Sequence, residues 1–293
     1  MHTRHHVDLI HHERTEGLGS IALSAQAAVV MKISSAGAPQ EVYAKNPQGA
    51  FHPASLTKLL TVMTALDVAS RFGHSLDARL KMRAGDEAKG TGNNISPGDR
   101  FSFQDAIANM MLPSSNVTAN VVARTFGQVL VDHEGSRASP VPRFVQEMNA
   151  TAAGLGMTHS IFVNPHGLKA SAQVTTAADM ARLLVAATER PAITNVWSHA
   201  TYDLTITGPN ARSEPIASSV KMIEDDDVCG GKTGTLRSIT YNLAISSQTA
   251  SGTRLASVLL CSSSDSARYA DMRLLLNALD EVCWNDDVRT PHD

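Results

Sequence analysis

Residues 53–67 read PASLTKLLTVMTALD. Pro53 ends an extended lead-in, and the helical periodicity starts at Ser55, which places this serine at or just inside a helix amino terminus. Residues three apart on a helix share a face, so the Ser55 hydroxyl and the Lys58 amine come within hydrogen-bonding reach. The positive end of the helix dipole lies where a tetrahedral oxyanion would develop. A nucleophile thus stands beside a base. Alone the pair is weak, since Ser and Lys at this spacing occur about once by chance in a chain of this length, and an N-cap with a surface lysine uses the same residues.

Outward from this helix, the two ends of the chain read as strands and the middle as helices. The runs 27–33 (AAVVMKI) and 41–44 flank SSAGAPQ, a loop signal, and 202–206, 227–233, 240–246 and 254–261 are further β-rich runs divided by polar turns. These are predicted to form one antiparallel sheet. Helical patterns cover 55–69, 102–111, 117–126, 141–155 and 176–188. A last amphipathic helix over 266–282 sets Met272, Leu275, Leu276 and Leu279 on one face, suited to lying over a sheet. The fold class is α/β (α+β): an antiparallel sheet built from both chain ends, with flanking helices and an inserted all-helical lobe. The expected organisation is a polar tail over 1–26, one domain over 27–283 and a tail over 284–293. Within the domain the sheet lobe covers about 27–70 and 200–283, and the helical lobe about 71–199. Ligand sites favour such lobe junctions.

Composition narrows the function. The 293 residues are 43% hydrophobic, enough for a sizeable core, and 25 Lys and Arg stand against 28 Asp and Glu. A net charge of −3 provides no field for nucleic acid or an anionic membrane. No uninterrupted apolar run reaches the length of about 18 residues that a membrane-spanning helix needs. Cys229, Cys261 and Cys283 lie far apart without a CxxC, which excludes a disulfide framework and a zinc ribbon; they read as small buried apolar residues. His2, His5, His6, His11 and His12 have no Cys or carboxylate at ligand spacing and read as a polar tail. The A-x-A pattern at Ala25 and Ala27 runs straight into Met31 and Ile33, so the stretch reads as strand rather than a cleavable signal. The acidic run 224–227 reads as a solvated turn.

Two further clusters carry polar side chains at telling places. Ser114-Ser115-Asn116 follows Pro113 at a corner between two helices and presents Ser114 and Asn116 on one side, although helix junctions use these residue types for capping as well. Gly230-Gly231-Lys232-Thr233-Gly234-Thr235 falls on a predicted strand, where Lys232 and Thr233 suit a carboxylate and Gly234 lets another backbone lie against the strand edge. A P-loop needs a second glycine five residues before the lysine and a helix after it; neither is present.

Taken in order, the three clusters resemble the S-x-x-K, S-D-N and K-T-G triplet of penicillin-recognising serine enzymes. Ser115 replaces the usual aspartate, at a position whose side chain points away from the chemistry in that superfamily. The longer stretches PASLTKLLTVMTALD, FVQEMNATAAGLGMTHSIFVNPHGL and KTGTLRSITYNLAI look like the low-molecular-mass D-alanyl-D-alanine carboxypeptidases, with similarity from about residue 27 to about residue 282. The resemblance implies a β-lactamase/transpeptidase-like catalytic domain of two lobes. Many members also carry a carboxy-terminal β-rich domain and an amphipathic membrane anchor, both expected to be absent from this chain.

The resemblance also implies roles. Ser55 attacks the carbonyl of the penultimate residue of a peptidoglycan stem peptide ending in D-Ala-D-Ala, and a neutral Lys58 takes its proton. A lysine titrates near 10.4 in water, so burial and the nearby Lys232 must lower it. The backbone N–H groups of Ser55 and Thr235 form an oxyanion hole, each donor being worth about 3 kcal/mol. Ser114 relays a proton to the leaving amine, and Asn116 holds the substrate backbone. Lys232, Thr233, Gly234 and Thr235 line the strand side, and Arg268 meets the terminal carboxylate in preference to Arg237. His166 shapes a loop over the cleft. No step requires a metal or an organic cofactor. β-Lactam antibiotics are expected as covalent inhibitors, with no nucleic-acid partner and no stable membrane anchor. Such substrates place the enzyme outside the cytoplasmic membrane, in the periplasm or at the cell surface, although no convincing export signal is present. The rival readings are a β-lactamase, for which Glu147 is expected on the polar side of its helix, a non-hydrolytic penicillin-binding sensor or cell-wall scaffold, and an esterase of small esters.

Overall fold

The computed structural model describes residues 21–34, 37–225, 227–237 and 239–287, with side chains through residue 280. The histidine-rich segment and residues 288–293 lie outside the described residues. In chain order the elements are β1 (Ala27–Ile33), β2 (Gln40–Lys45), α1 (Thr57–Arg71), β3 (Arg79–Lys81), β4 (Arg100–Ser102), α2 (Phe103–Met111), α3 (Asn116–His133), α4 (Pro140–Gly154), α5 (Ala177–Thr188), α6 (Pro191–Trp197), β5 (Thr201–Ile206), β6 (Arg212–Ala217), β7 (Val228–Leu236), β8 (Thr240–Gln248), β9 (Arg254–Leu260) and α7 (Asp265–Asp287).

An apolar run such as β1 is buried on both faces only within a covered sheet, because successive side chains point to opposite sides. Ala27 and Val29 join the larger core shared with the helices, whereas Ala28 and Val30 join a second core with Met272, Leu275, Leu276 and Leu279 of α7. The five strands run in the order β2-β1-β9-β8-β7, every neighbour antiparallel. Pairing of β1 with β9 joins the two ends of the chain, and β7 is left at the edge, where it faces the first turn before α1. Each fully buried Val or Leu in these layers contributes about 1.5–3 kcal/mol, so the two apolar faces fix the register.

Several expectations change. Segment 202–206 does not join the main sheet: β5 pairs with β6 in a separate ribbon, and only Leu204 and Ile206 are buried. Half-buried alternation is the same signal for a ribbon and for a sheet edge. The inserted lobe is not all helical, since β3 and β4 form a ribbon of three residues per strand, too short to register as a pattern. Helix α5 falls within the stretch expected to be the helical lobe, yet it packs on β1, β8 and β9. Helix α1, expected with the sheet, packs on α2, α3, α4 and α5 at the centre of the molecule. Cys229 is exposed and Cys261 half-buried, so neither is the core residue expected, and both are free thiols; Cys283 lies beyond the described side chains.

The boundary expected at residue 26 also moves. Leu23 and Ala25 are buried, and the chain there is tied down by Asp271, which accepts from Ser24 N at 2.9 Å, Ser24 Oγ at 2.7 Å and Ala25 N at 2.9 Å. Lys45 Nζ donates to the Leu23 and Ala25 carbonyls at 2.8 and 2.7 Å. The A-x-A residues are therefore core. Helix α7 runs through Asp287, past the expected start of a tail at 284. Among the described residues no helix is long and apolar enough to cross a membrane.

Candidate active site

Pro53 already has helical angles (φ −68°, ψ −23°), and 54–56 form a tight turn that leads into α1. Ala54 within it has φ 48°, a left-handed conformation that costs roughly 1–2 kcal/mol for a residue with a Cβ. The surroundings hold it there. The Ala54 N–H donates to His52 Nδ1 at 3.0 Å, Thr57 Oγ1 donates to the Ala54 carbonyl at 2.8 Å, and the 164–168 loop presses on that carbonyl so closely that a Cβ on Gly167 would lie 1.8 Å from it.

Ser55 stands on this turn, and Lys58 reaches back one turn to it, Nζ to Oγ 2.9 Å. Lys58 is fully buried, and its Nζ also meets Asn116 Oδ1 at 2.6 Å and the His166 carbonyl at 2.7 Å. Burial first, and Lys232 second, hold its pKa well below the ordinary lysine value. A neutral amine has two N–H groups and one lone pair. Two of the three contacts are carbonyl oxygens, which only accept, so they take both hydrogens and the lone pair is left for the Ser55 O–H. That is the orientation a general base needs.

Ser114 occupies the corner between α2 and α3 with φ 67°, and its buried Oγ has no partner among the described residues. Strained backbone and orphan buried hydroxyls are features that cluster at functional sites. Ser115 is the N-cap of α3: its Oγ donates to the Gly92 carbonyl at 2.6 Å and accepts from Thr118 N at 3.2 Å. Asn116 gives Oδ1 to Lys58 and donates through Nδ2 to the Lys89 carbonyl at 2.7 Å, which leaves one lone pair and one hydrogen for anything else.

On β7, Lys232 is fully buried with one acceptor among the described residues, the Thr233 carbonyl at 3.1 Å; burial, then Arg268, push its pKa down to about 7. Thr233 Oγ1 pairs with Ser219 Oγ at 2.8 Å. Arg268 Nη1 donates to Thr235 Oγ1 at 2.8 Å and to the Asn242 carbonyl at 3.2 Å, Nη2 pairs with Asp265, and Nε is buried without a partner among the described residues. Ser55, Ser114, Asn116, Thr233, Thr235 and Arg268 line one cleft of about 210 Å³. Arg237 is exposed and does not line it. Glu147 is paired with Arg71 at 2.5 Å and Arg143 at 3.0 Å on α4, away from the cleft.

Two contributions carried no sequence signal: the main-chain carbonyl of His166, as distinct from its ring, and the Asn242 amide. The His166 ring braces its own loop, Nδ1 accepting from Leu168 N at 3.1 Å, with its pKa pushed down to about 4 by burial and Lys58. What reaches the lysine is its main-chain carbonyl, which any residue type supplies. The other is Asn242, whose amide meets the turn that carries Ser55; only the pairing of β8 with β7 brings it there.

The sequence profile of the D-alanyl-D-alanine carboxypeptidase family, Peptidase S11, matches residues 13–264. D-alanyl-D-alanine carboxypeptidase DacC of Escherichia coli is 30% identical over 238 residues, covering 76% of this chain and 54% of that protein. A D-alanyl-D-alanine endopeptidase of Pseudomonas aeruginosa is 31% identical over 157 residues, 54% of this chain and 46% of that one. The chain spans about half the length of these curated relatives. In three dimensions it is similar to the Streptomyces K15 DD-transpeptidase, with a TM-score of 0.79 at 19% identity over 88% of this chain and 97% of that one. The D-alanyl-D-alanine carboxypeptidase DacD of Francisella tularensis gives 0.74 at 22% identity over 88% and 70%. These two likenesses establish the fold shared by those enzymes. With the profile spanning most of its length, the chain belongs to the D-alanyl-D-alanine carboxypeptidase family.

Proposed function

We propose that this protein is a serine-type carboxypeptidase that removes the terminal D-alanine from peptidoglycan stem peptides ending in D-Ala-D-Ala, working outside the cytoplasmic membrane. The observation that carries the reading is the environment of Lys58: fully buried, depressed in pKa, with Nζ between two carbonyl oxygens and the Ser55 hydroxyl. Ser55 Oγ attacks the penultimate carbonyl as Lys58 accepts its proton, and the backbone N–H groups of Ser55 and Thr235 receive the oxyanion. The C–N bond then breaks as the proton taken up by Lys58 passes through Ser114 to the departing amine, which leaves an ester on Ser55 and Lys58 neutral again. Water, deprotonated by Lys58, attacks the ester and restores the serine hydroxyl, releasing the shortened peptide as a carboxylate. The terminal carboxylate of the substrate sits against Arg268, Thr233 and Thr235, with the charge of Lys232 behind them. β-Lactams acylate Ser55 by the same first step.

The β-lactamase alternative lacks support, because Glu147 is engaged by two arginines on another face. Incubation with a fluorescent penicillin followed by peptide mapping is expected to place the label on Ser55. A peptide ending in D-Ala-D-Ala is expected to release free D-alanine, and Ser55→Ala to abolish release while the fold persists. Labelling without D-alanine release identifies a sensor instead; rapid multiple turnover of penicillin identifies a β-lactamase.

A further inference from the structure

Asn242 lies on β8 directly opposite Gly234 of β7 and is fully buried. Four groups surround its amide, and their chemistry sorts its two ends. Nδ2 donates to the carbonyl oxygens of His52 at 2.9 Å and Pro53 at 3.0 Å. Oδ1 accepts from the Thr240 hydroxyl at 2.5 Å and the Cys261 backbone N–H at 2.9 Å. Carbonyls only accept and a backbone N–H only donates, so a flipped amide would face both carbonyls with oxygen and the Cys261 N–H with its own hydrogens. The orientation is forced.

His52 and Pro53 are the two residues that enter the Ser55 turn. With Ala54 at φ 48°, that turn does not hold its shape by local preference; it is over-determined from outside. The 164–168 loop supports one side through Gly167, and on the sheet side the Asn242 amide binds the two carbonyls that lead in. Gly234 leaves the passage open: a Cβ there would lie 2.8 Å from the Pro53 oxygen and 3.2 Å from Asn242 Cβ. The glycine of the third motif thus lets the turn close onto the asparagine.

We infer that Asn242 is a positioning residue for the nucleophile. It touches no substrate; it sets where the Ser55 hydroxyl stands in the cleft by fixing the His52 and Pro53 carbonyls, while Thr240 and Cys261 lock its own amide. The inference rests on the reading in which Ser55 is the acylated residue.

The test is acylation by a fluorescent penicillin over a range of concentrations, which separates the limiting rate from the half-saturating concentration. Asn242→Asp keeps size and both acceptor contacts but presents an oxygen to the two carbonyls. Its limiting rate is expected to fall about 100-fold, the scale set by a misplacement near 1 Å, with half-saturation changed by less than about 3-fold. A limiting rate within about 3-fold of the parent, or a deficit confined to half-saturation, overturns the inference. If Asn242→Asp does not fold, Thr240→Val decides, since it removes only the hydroxyl that holds Oδ1: a fall of about 5-fold in limiting rate supports the role, and an unchanged rate overturns it. Absence of label on Ser55 in the parent protein is a different failure, because it removes the site reading and this inference with it.

Discussion

Among the described residues two lysines are fully buried, and their surroundings differ. Lys58, at the start of α1, is surrounded by three oxygens; Lys232, on the edge strand β7, has a single backbone carbonyl at 3.1 Å. Desolvation is the leading cause of a lowered pKa in both. The partners then divide the roles. Around Lys58 the acceptors use up the hydrogens of a neutral amine and aim its lone pair at Ser55, which makes a base. Lys232, beside Arg268 and Thr233, keeps donors unmatched among the described residues, which suits an incoming anion. Burial alone therefore does not say what a lysine does; the count and type of its neighbours does.

Substitution of Lys58 is expected to cost the most. Lys58→Arg retains a positive charge that does not dissociate near neutrality, so acylation by penicillin is expected to fall by about 10³-fold or more, a loss measurable by the rate of Ser55 labelling. Labelling within 10-fold of the parent would show that the base is another group. Lys232→Met is expected to cost about 10–100-fold in kcat/KM for a D-Ala-D-Ala peptide, the scale of one charge-assisted hydrogen bond, while a methyl ester of the same peptide loses less. Equal losses on acid and ester would remove Lys232 from carboxylate recognition.

The pH profile sharpens the same division. A lysine whose pKa is lowered is charged below the lowered value and neutral above it. Lys58 must be neutral, so kcat/KM rises as pH climbs through its depressed value; Lys232 must be charged, so kcat/KM for the free protein falls as pH climbs through about 7. A fall above about pH 7 is thus assigned to Lys232, and Lys232→Arg, which stays charged, is expected to shift that fall upward. An alkaline limb unmoved in that variant would assign it elsewhere. The smallest effect is at Ser114: Ser114→Gly removes an orphan hydroxyl and relieves a non-glycine φ of 67°, so melting temperature is expected to rise by the equivalent of about 1 kcal/mol as turnover falls. Calorimetry showing a lower melting temperature would contradict the strain argument.

The parts legible in the chain were those set by local rules. The 27–33 run and the 3.6-residue periodicity after Ser55 predict β1 and α1 nearly at their observed limits, because burial of one face writes itself into spacing. The Ser55 and Lys58 pair follows from the same helix geometry, and Ser115 from capping. Where several structures share a signal, reading fails: 202–206 alternates as a sheet strand would, yet β6 turns it into a ribbon, and the short helix α6 and the ribbon of β3 and β4 are too brief to announce themselves. Cys229 is exposed and Cys261 half-buried, against the burial usual for free thiols.

What the amino-acid order determined by itself is therefore the set of elements and the reactive groups each one carries, since both depend on neighbours within a turn or a strand. Tertiary packing alone brings in the distant groups that meet the lysine and the turn: the His166 carbonyl on Lys58 and the Asn242 amide on the lead-in to Ser55. The physical reason is that main-chain carbonyls, burial and lysine pKa depend on what packs within a few ångströms, and those contacts span up to 190 positions of the chain.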